Sequence, residues 1–178
     1  MYKINALIKS GQQLFHTGDL GVLWRVQNKN TLYTTIKRYV QKGILLPVHK
    51  GLYASVPLSQ VHPVRVGMAI LHQYAYLSCE SVLAKEGIIT QAVYTVTLVS
   101  AVTRKFSVGK TSYTVRKLAP PYLYRTAGIQ TRDGVFVATV ARAVADMRYF
   151  SPNYHFDAPE SIPEEMVKRI QKEVGYSY

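Results

Sequence analysis

Acidic residues are scarce in this chain and cysteines scarcer. Ten Asp and Glu stand against 22 Lys and Arg in 178 residues, a formal charge of +12. An excess of that sign points to a polyanion such as nucleic acid. A membrane surface could use the same charge, but no stretch combines a basic face with a large apolar one. The single cysteine, Cys79, excludes an intramolecular disulfide framework and fits a reducing cytosol. No run of about 18 apolar residues occurs, and the opening MYKINALIKSGQQ lacks the apolar core of a signal peptide. The expectation is a soluble, cytoplasmic protein with no membrane association. Internal repeats and low-complexity tracts are absent too, and an apolar fraction of 48% excludes general disorder.

The positive charge is unevenly spread. Residues 1–56 hold eight cations and one acid, Asp19, a net of +7. Residues 57–178 hold fourteen cations and nine acids, a net of +5. Between them Val56-Pro57-Leu58-Ser59-Gln60-Val61-His62-Pro63 reads as a hinge, its two prolines ending local structure. The expected organisation is α+β, with one unit at 1–56 and a mixed α/β unit at 63–178.

The most informative stretch is residues 30–53. Asn30 is a candidate N-cap, since its side chain can accept a free amide of a first helical turn. Leu32, Ile36, Tyr39 and Val40 then recur on one helical face, and Gly43 stops the helix. The other face carries Thr31, Thr34, Lys37, Arg38 and Gln41, donors and cations without an acid. Ile44–Val48 and Leu52–Ala54 flank His49-Lys50-Gly51 and read as a β-hairpin. A helix with one charged face is most often only a solvated surface helix. Here a basic hairpin follows it and a short helix precedes it, carrying Leu20, Leu23 and Trp24 with Asp19 or Thr17 as its cap. Gln27-Asn28-Lys29 makes the turn between the two helices. That is the outline of a winged helix-turn-helix, with 31–42 as recognition helix and His49-Lys50-Gly51 as wing tip. Trp24 and Tyr39 lie on the apolar face and are expected in the core. Residues 3–15 read as one helix, bent or ended near Ser10-Gly11.

In the second unit, Val64 to His72 and a segment capped by Ser78 that holds Val82 and Leu83 read as helices. Val93–Val102 is β-branched and reads as a buried strand. Residues 105–118 alternate around Gly109-Lys110 as a hairpin, Tyr122–Gln130 adds strand, and Asp133-Gly134 makes a turn. Val137–Phe150 reads as a helix buried on Val140, Val144 and Met147. A final amphipathic helix, capped near Ser161 with Pro163 in its first turn, runs to about Val174.

Signals for catalysis are weak. Gly109-Lys110-Thr111 resembles the end of a phosphate-binding loop, but Arg104 stands where its earlier glycine is required. His16, His49, His62, His72 and His155 show no ligand spacing, so neither a metal nor a cofactor is expected. Glu80 and Glu86, and Arg142 with Asp146, have helical spacings that suit surface ion pairs. Arg104, Lys105, Lys110, Arg116, Lys117, Arg125 and Arg132 form a basic run with no acid before Asp133. They are either a solvated face or a second contact surface, for DNA phosphates or an acidic partner.

Four segments resemble the AbiE-type (AbiEi) antitoxins of abortive-infection systems. They are Lys42-Gly43-Ile44-Leu45 with His49-Lys50-Gly51-Leu52-Tyr53, the segment Tyr76–Leu83, the strand Val96–Val99, and Ala138–Asp146. The resemblance spans most of residues 12–150. It implies a repressor with an N-terminal winged helix that binds inverted repeats in its own operator. It also implies the antitoxin role of a type IV system, countering a nucleotidyltransferase-like toxin without needing a stable complex with it. The chain ends sooner than longer relatives and has Cys79-Glu80 where small residues are commoner. The expected function is thus a non-enzymatic, duplex-DNA-binding repressor and antitoxin. Lys29, Thr31, Thr34, Lys37, Arg38, Gln41, His49 and Lys50 are its candidate DNA contacts. The alternative is a protein-interaction module with the winged helix as scaffold.

Overall fold

Gly11, with φ at +65°, ends the first helix, α1 (Tyr2–Ser10), sooner than the apolar pattern suggests. The computed structural model describes residues 2–176, an α+β protein. These residues fall into two compact units that divide between His62 and Pro63. Among the described residues no helix is long and apolar enough to cross a membrane.

In the first unit Leu14–His16 leaves the helical period and forms a strand, β1. Phe15, at 0% exposure, is what β1 contributes to the core. Helix α2 (Thr17–Leu23) follows directly. Its first turn is closed from the third helical position, where the Asp19 carboxylate accepts the His16 amide at 2.8 Å. Asp19 therefore supports the turn without being its N-cap. Helix α3 (Lys29–Gln41) is capped by Asn28 and not by Asn30, since Asn28 Oδ1 accepts the Thr31 amide at 3.0 Å. Asn28 has extended backbone (φ −73°, ψ 117°), the conformation a cap requires. Strands β2 (Leu46–His49) and β3 (Leu52–Ala54) complete an antiparallel sheet in the order β1-β3-β2. Leu7, Phe15, Leu20, Trp24, Leu32, Ile36 and Leu45 form one core. Trp24 is buried in it, donating its indole N–H to the Lys3 carbonyl at 3.1 Å and meeting the Tyr39 ring edge-on at 5.2 Å.

The second unit is a mixed six-stranded sheet with helices on both faces. Along the chain it runs α4 (Pro63–Leu71), β4 (Ala75–Leu77), α5 (Glu80–Lys85), β5 (Thr95–Ser100), β6 (Arg104–Val108) and β7 (Thr111–Lys117). Then follow α6 (Pro120–Leu123), β8 (Ile129–Arg132), β9 (Val135–Ala138), α7 (Val140–Phe150) and α8 (Glu164–Val174). Strand order is β6-β7-β5-β4-β9-β8, with β5/β7 and β4/β9 parallel and the other neighbours antiparallel. Side chains alternate between faces along each strand. Leu98, Tyr113 and Val115 pack with Val64, Met68 and Leu71 of α4. Tyr76, Val99 and Ala138, on the opposite face, pack with α5, α7 and α8. Gly67 lets α4 sit close, because a Cβ there would fall 2.7 Å from the Tyr113 ring.

Several local expectations need correcting. Of residues 122–130 only Ile129 and Gln130 are strand: Pro120 starts a short helix, as proline at a first turn can, and pairing begins at Ile129. Val137 and Ala138, expected as the start of the long helix, belong instead to β9 (Val135–Ala138), which pairs with β8 across the Asp133-Gly134 turn, and Thr139 caps α7. Ser78 does not cap α5, because its hydroxyl is taken by Asp146. Cys79 occupies the cap position at φ 53° with no side-chain bond. Helix α8 begins after Pro163, and Ser161 belongs to the preceding 3-10 turn.

Candidate nucleic-acid interface

Helix α3 buries Leu32 and Ile36, and its other side stands in solvent. Lys29, Thr31, Thr34, Lys37, Arg38 and Gln41 are all exposed, and no acid lies in the helix. Taken from the buried stripe, the helical period centres the outer face on Asn30, Thr34, Lys37 and Gln41. Arg38 flanks that row on one side and Tyr33 flanks it on the other. Tyr33 is 56% exposed and lines a groove with Lys37, Gln41, Pro47 and Tyr53, between α3 and the β2–β3 hairpin. Asn30 and Tyr33, absent from the expected contact residues, are exposed on this face too. Placing the cap at Asn28 would have brought Asn30 onto this face.

His49 and Lys50 are exposed at the hairpin tip, where Gly51 takes φ +74°. The tip is tethered: the Thr17 amide donates to the Gly51 carbonyl at 2.9 Å, and the Thr17 hydroxyl reaches the same oxygen at 3.3 Å. The first residue of α2 thus fixes where Lys50 is presented. Asp19, the one acid of residues 1–62, is occupied by the backbone of the same turn. What remains is a cationic helix face and a held cationic tip, an arrangement able to neutralise phosphates and offer donors to base edges.

The basic run at 104–132 does not form one surface. Adjacent in a strand, Arg104 and Lys105 point to opposite faces, and Arg104 lies over the Phe106 ring at 5.1 Å. Lys110 is at the β6–β7 turn. Arg116 is half-buried, ion-paired with Glu80 and placed over the Phe150 ring at 5.5 Å. Arg132 lies 3.9 Å from Glu86. Lys117 and Arg125 are exposed. The run is contiguous in sequence, but alternation and pairing disperse it.

Arg142 and Asp146 overturn the surface-pair expectation outright. Both side chains are 0% exposed, and Arg142 Nε donates to Asp146 Oδ1 at 2.8 Å. Tyr176 donates to the same oxygen at 2.5 Å, while Tyr76 and Ser78 donate to Oδ2 at 3.0 and 2.8 Å. The guanidinium also donates to the Tyr76 hydroxyl and to the carbonyls of Arg125 and Ala127, each at 2.9 Å. Burial disfavours the Arg142 charge, but Asp146 and the two tyrosines outweigh it and hold the group cationic. Burial first, then Asp146, pushes both tyrosine hydroxyls above their ordinary range. With both carboxylate oxygens doubly engaged, the cluster is closed. It joins β4, α7, the 125–127 segment and Tyr176 into one piece.

No family model matches this chain, and no curated protein matches it. Among solved structures, it resembles the crystal structure of the RV2827C protein from Mycobacterium tuberculosis. The TM-score is 0.59 at 12% identity, over 96% of this chain and 70% of that one. The likeness is one of fold alone.

Proposed function

We propose that the first unit is a winged helix-turn-helix that reads duplex DNA, with α3 in the major groove and the β2–β3 tip against the backbone. What carries the reading is the exposed, acid-free row Thr34, Lys37, Arg38 and Gln41 beside a tethered Lys50. The order of elements, short helix, turn, capped helix and hairpin, agrees with that class of module. The proposed cellular role is autorepression by a cytoplasmic AbiE-type antitoxin whose counterpart is a nucleotidyltransferase-like toxin. That half rests on the sequence resemblance. The partner on DNA would be an operator of inverted repeats, bound without metal, cofactor or catalysis.

Duplex binding against salt tests the DNA half. A groove reader loses affinity linearly in log salt and keeps a preferred site, whereas a scaffold has no preferred site at any salt. The antitoxin half is tested in cells, with the chain expressed from an unrelated promoter beside the product of the adjoining gene. Absence of protection there would remove it and leave DNA binding untouched.

A further inference from the structure

The second unit exposes aromatic rings close to one another on its surface. Tyr124 is 62% exposed and Phe136 43% exposed, although they come from different elements. Half-buried Tyr74 joins them, its ring centroid 5.8 Å from Tyr124 and 5.4 Å from Phe136, at inclinations of 37° and 49°. The three rings form one contiguous patch. Exposed apolar patches of this kind mark binding surfaces when they are not covered.

Two further observations say what the patch suits. Arg125 follows Tyr124 directly, is exposed, and has no acidic partner among the described residues. The segment carrying Tyr124 and Arg125 is also held from beneath, since Arg142 donates to the Arg125 and Ala127 carbonyls. Rings on such a surface, with a guanidinium that has no acidic partner on the residue next to Tyr124, can stack bases while the cation meets a phosphate. Duplex DNA hides its base faces, so these rings cannot use it in that way. The geometry points to a stacking platform for single-stranded nucleic acid on Tyr74, Tyr124 and Phe136, with Arg125 as its phosphate contact. This site is built from residues of the second unit only and does not depend on the duplex-reading role proposed for the first.

The test uses the full chain and a labelled oligothymidylate of about 12 nucleotides, within the span of known single-strand sites. Tyr124→Ala and Phe136→Ala should each weaken oligonucleotide binding about tenfold, while Tyr124→Phe, which keeps the ring, should bind as the parent does. Arg125→Ala should lower the slope of log affinity against log salt by about 0.7, the value for one phosphate contact on a single strand. Binding to a duplex of the same length should not change in any of these variants. All four substitutions lie at exposed positions, and thermal melting checks that they fold. Several results overturn the inference: no oligonucleotide binding by the parent at low salt, equal losses on single strand and duplex, or intact binding after both alanine substitutions. Loss of a protein partner with oligonucleotide binding unaltered would overturn it as well, and would make the patch a protein surface.

Discussion

Arg38 and Arg142 sit in helices of similar length, yet the two units use them in opposite ways. Arg38 is exposed on α3, among donors and cations. Arg142 is wholly buried on α7, its charge matched by Asp146 and its other hydrogen bonds taken by Tyr76 and two carbonyls. A charge left in water contributes little to folding and stays available to a partner. A charge taken out of water must be paired completely, and it then specifies which elements lie together. The first unit leaves its charge in solvent, and the second commits its buried pair to architecture.

Removing Asp146 tests that contrast most severely. Asp146→Ala leaves Arg142 buried and uncompensated, and should destabilise the protein by about 3–5 kcal/mol in chemical denaturation. Lys37→Ala on α3 should change stability by no more than about 0.5 kcal/mol. Equal effects would dissolve the distinction. Arg142→Met combined with Asp146→Leu should recover only part of the loss, because it removes the unpaired charge but leaves the Tyr76, Ser78 and Tyr176 hydroxyls without their acceptor.

Gly128→Ala probes the packing beneath the same network. Gly128 has φ +72°, and a Cβ there would fall 2.7 Å from the Arg142 Cβ and from Ile170 Cδ1. A loss of about 1–3 kcal/mol is expected, read as a lower melting temperature. Duplex binding by the folded fraction should be unchanged.

On the other side of the comparison, Arg38→Ala should leave the melting temperature unchanged. It should weaken operator binding by about 1–3 kcal/mol and relax preference at one base pair, if the guanidinium reads a guanine edge. Uniform weakening on all sequences would make Arg38 a phosphate contact. Lys50→Ala is a smaller change, lowering the salt slope on duplex DNA by about one unit. An unaltered slope would mean that the hairpin tip does not touch DNA.

Alkaline titration gives the gentlest comparison. Tyr76 and Tyr176 ordinarily ionise at 10.0, and burial beside Asp146 raises both in the folded state. Above that pH the unfolded chain releases protons that the folded chain keeps. Their contribution to stability is therefore complete below about pH 10 and declines as pH rises further. Tyr113, pushed up to about 12 by burial, adds to the same window. Unfolding midpoints should fall from about pH 10 upward, and Tyr176→Phe should flatten that decline. An unchanged pH profile in Tyr176→Phe would separate that hydroxyl from the effect.

Legibility in the sequence followed the range of the interaction. The α3 stripe and the β6–β7 alternation are local patterns, and both stand where the periods placed them. Strands β1 and β4 have three residues each, too few to display a period, and are held by partners far along the chain. The buried network was invisible for the same reason: Tyr76 and Tyr176 lie 70 and 30 positions from Asp146. From spacing alone, Arg142 and Asp146 look like any surface pair one turn apart. The dispersal of the 104–132 cations was half legible, since alternation already sets Arg104 against Lys105, but the pairing of Arg116 with Glu80 was not.

Cys79 has a consequence of a different kind. It is the one thiol in the chain, fully buried against the second unit's core, and burial pushes its pKa well above the ordinary thiol range. A disulfide reagent can therefore modify it only when that core opens, at a rate set by the opening equilibrium. The first unit contains no thiol and gives no signal. The molecule thus carries its own clock for the breathing of one unit, readable without a label and silent to the other.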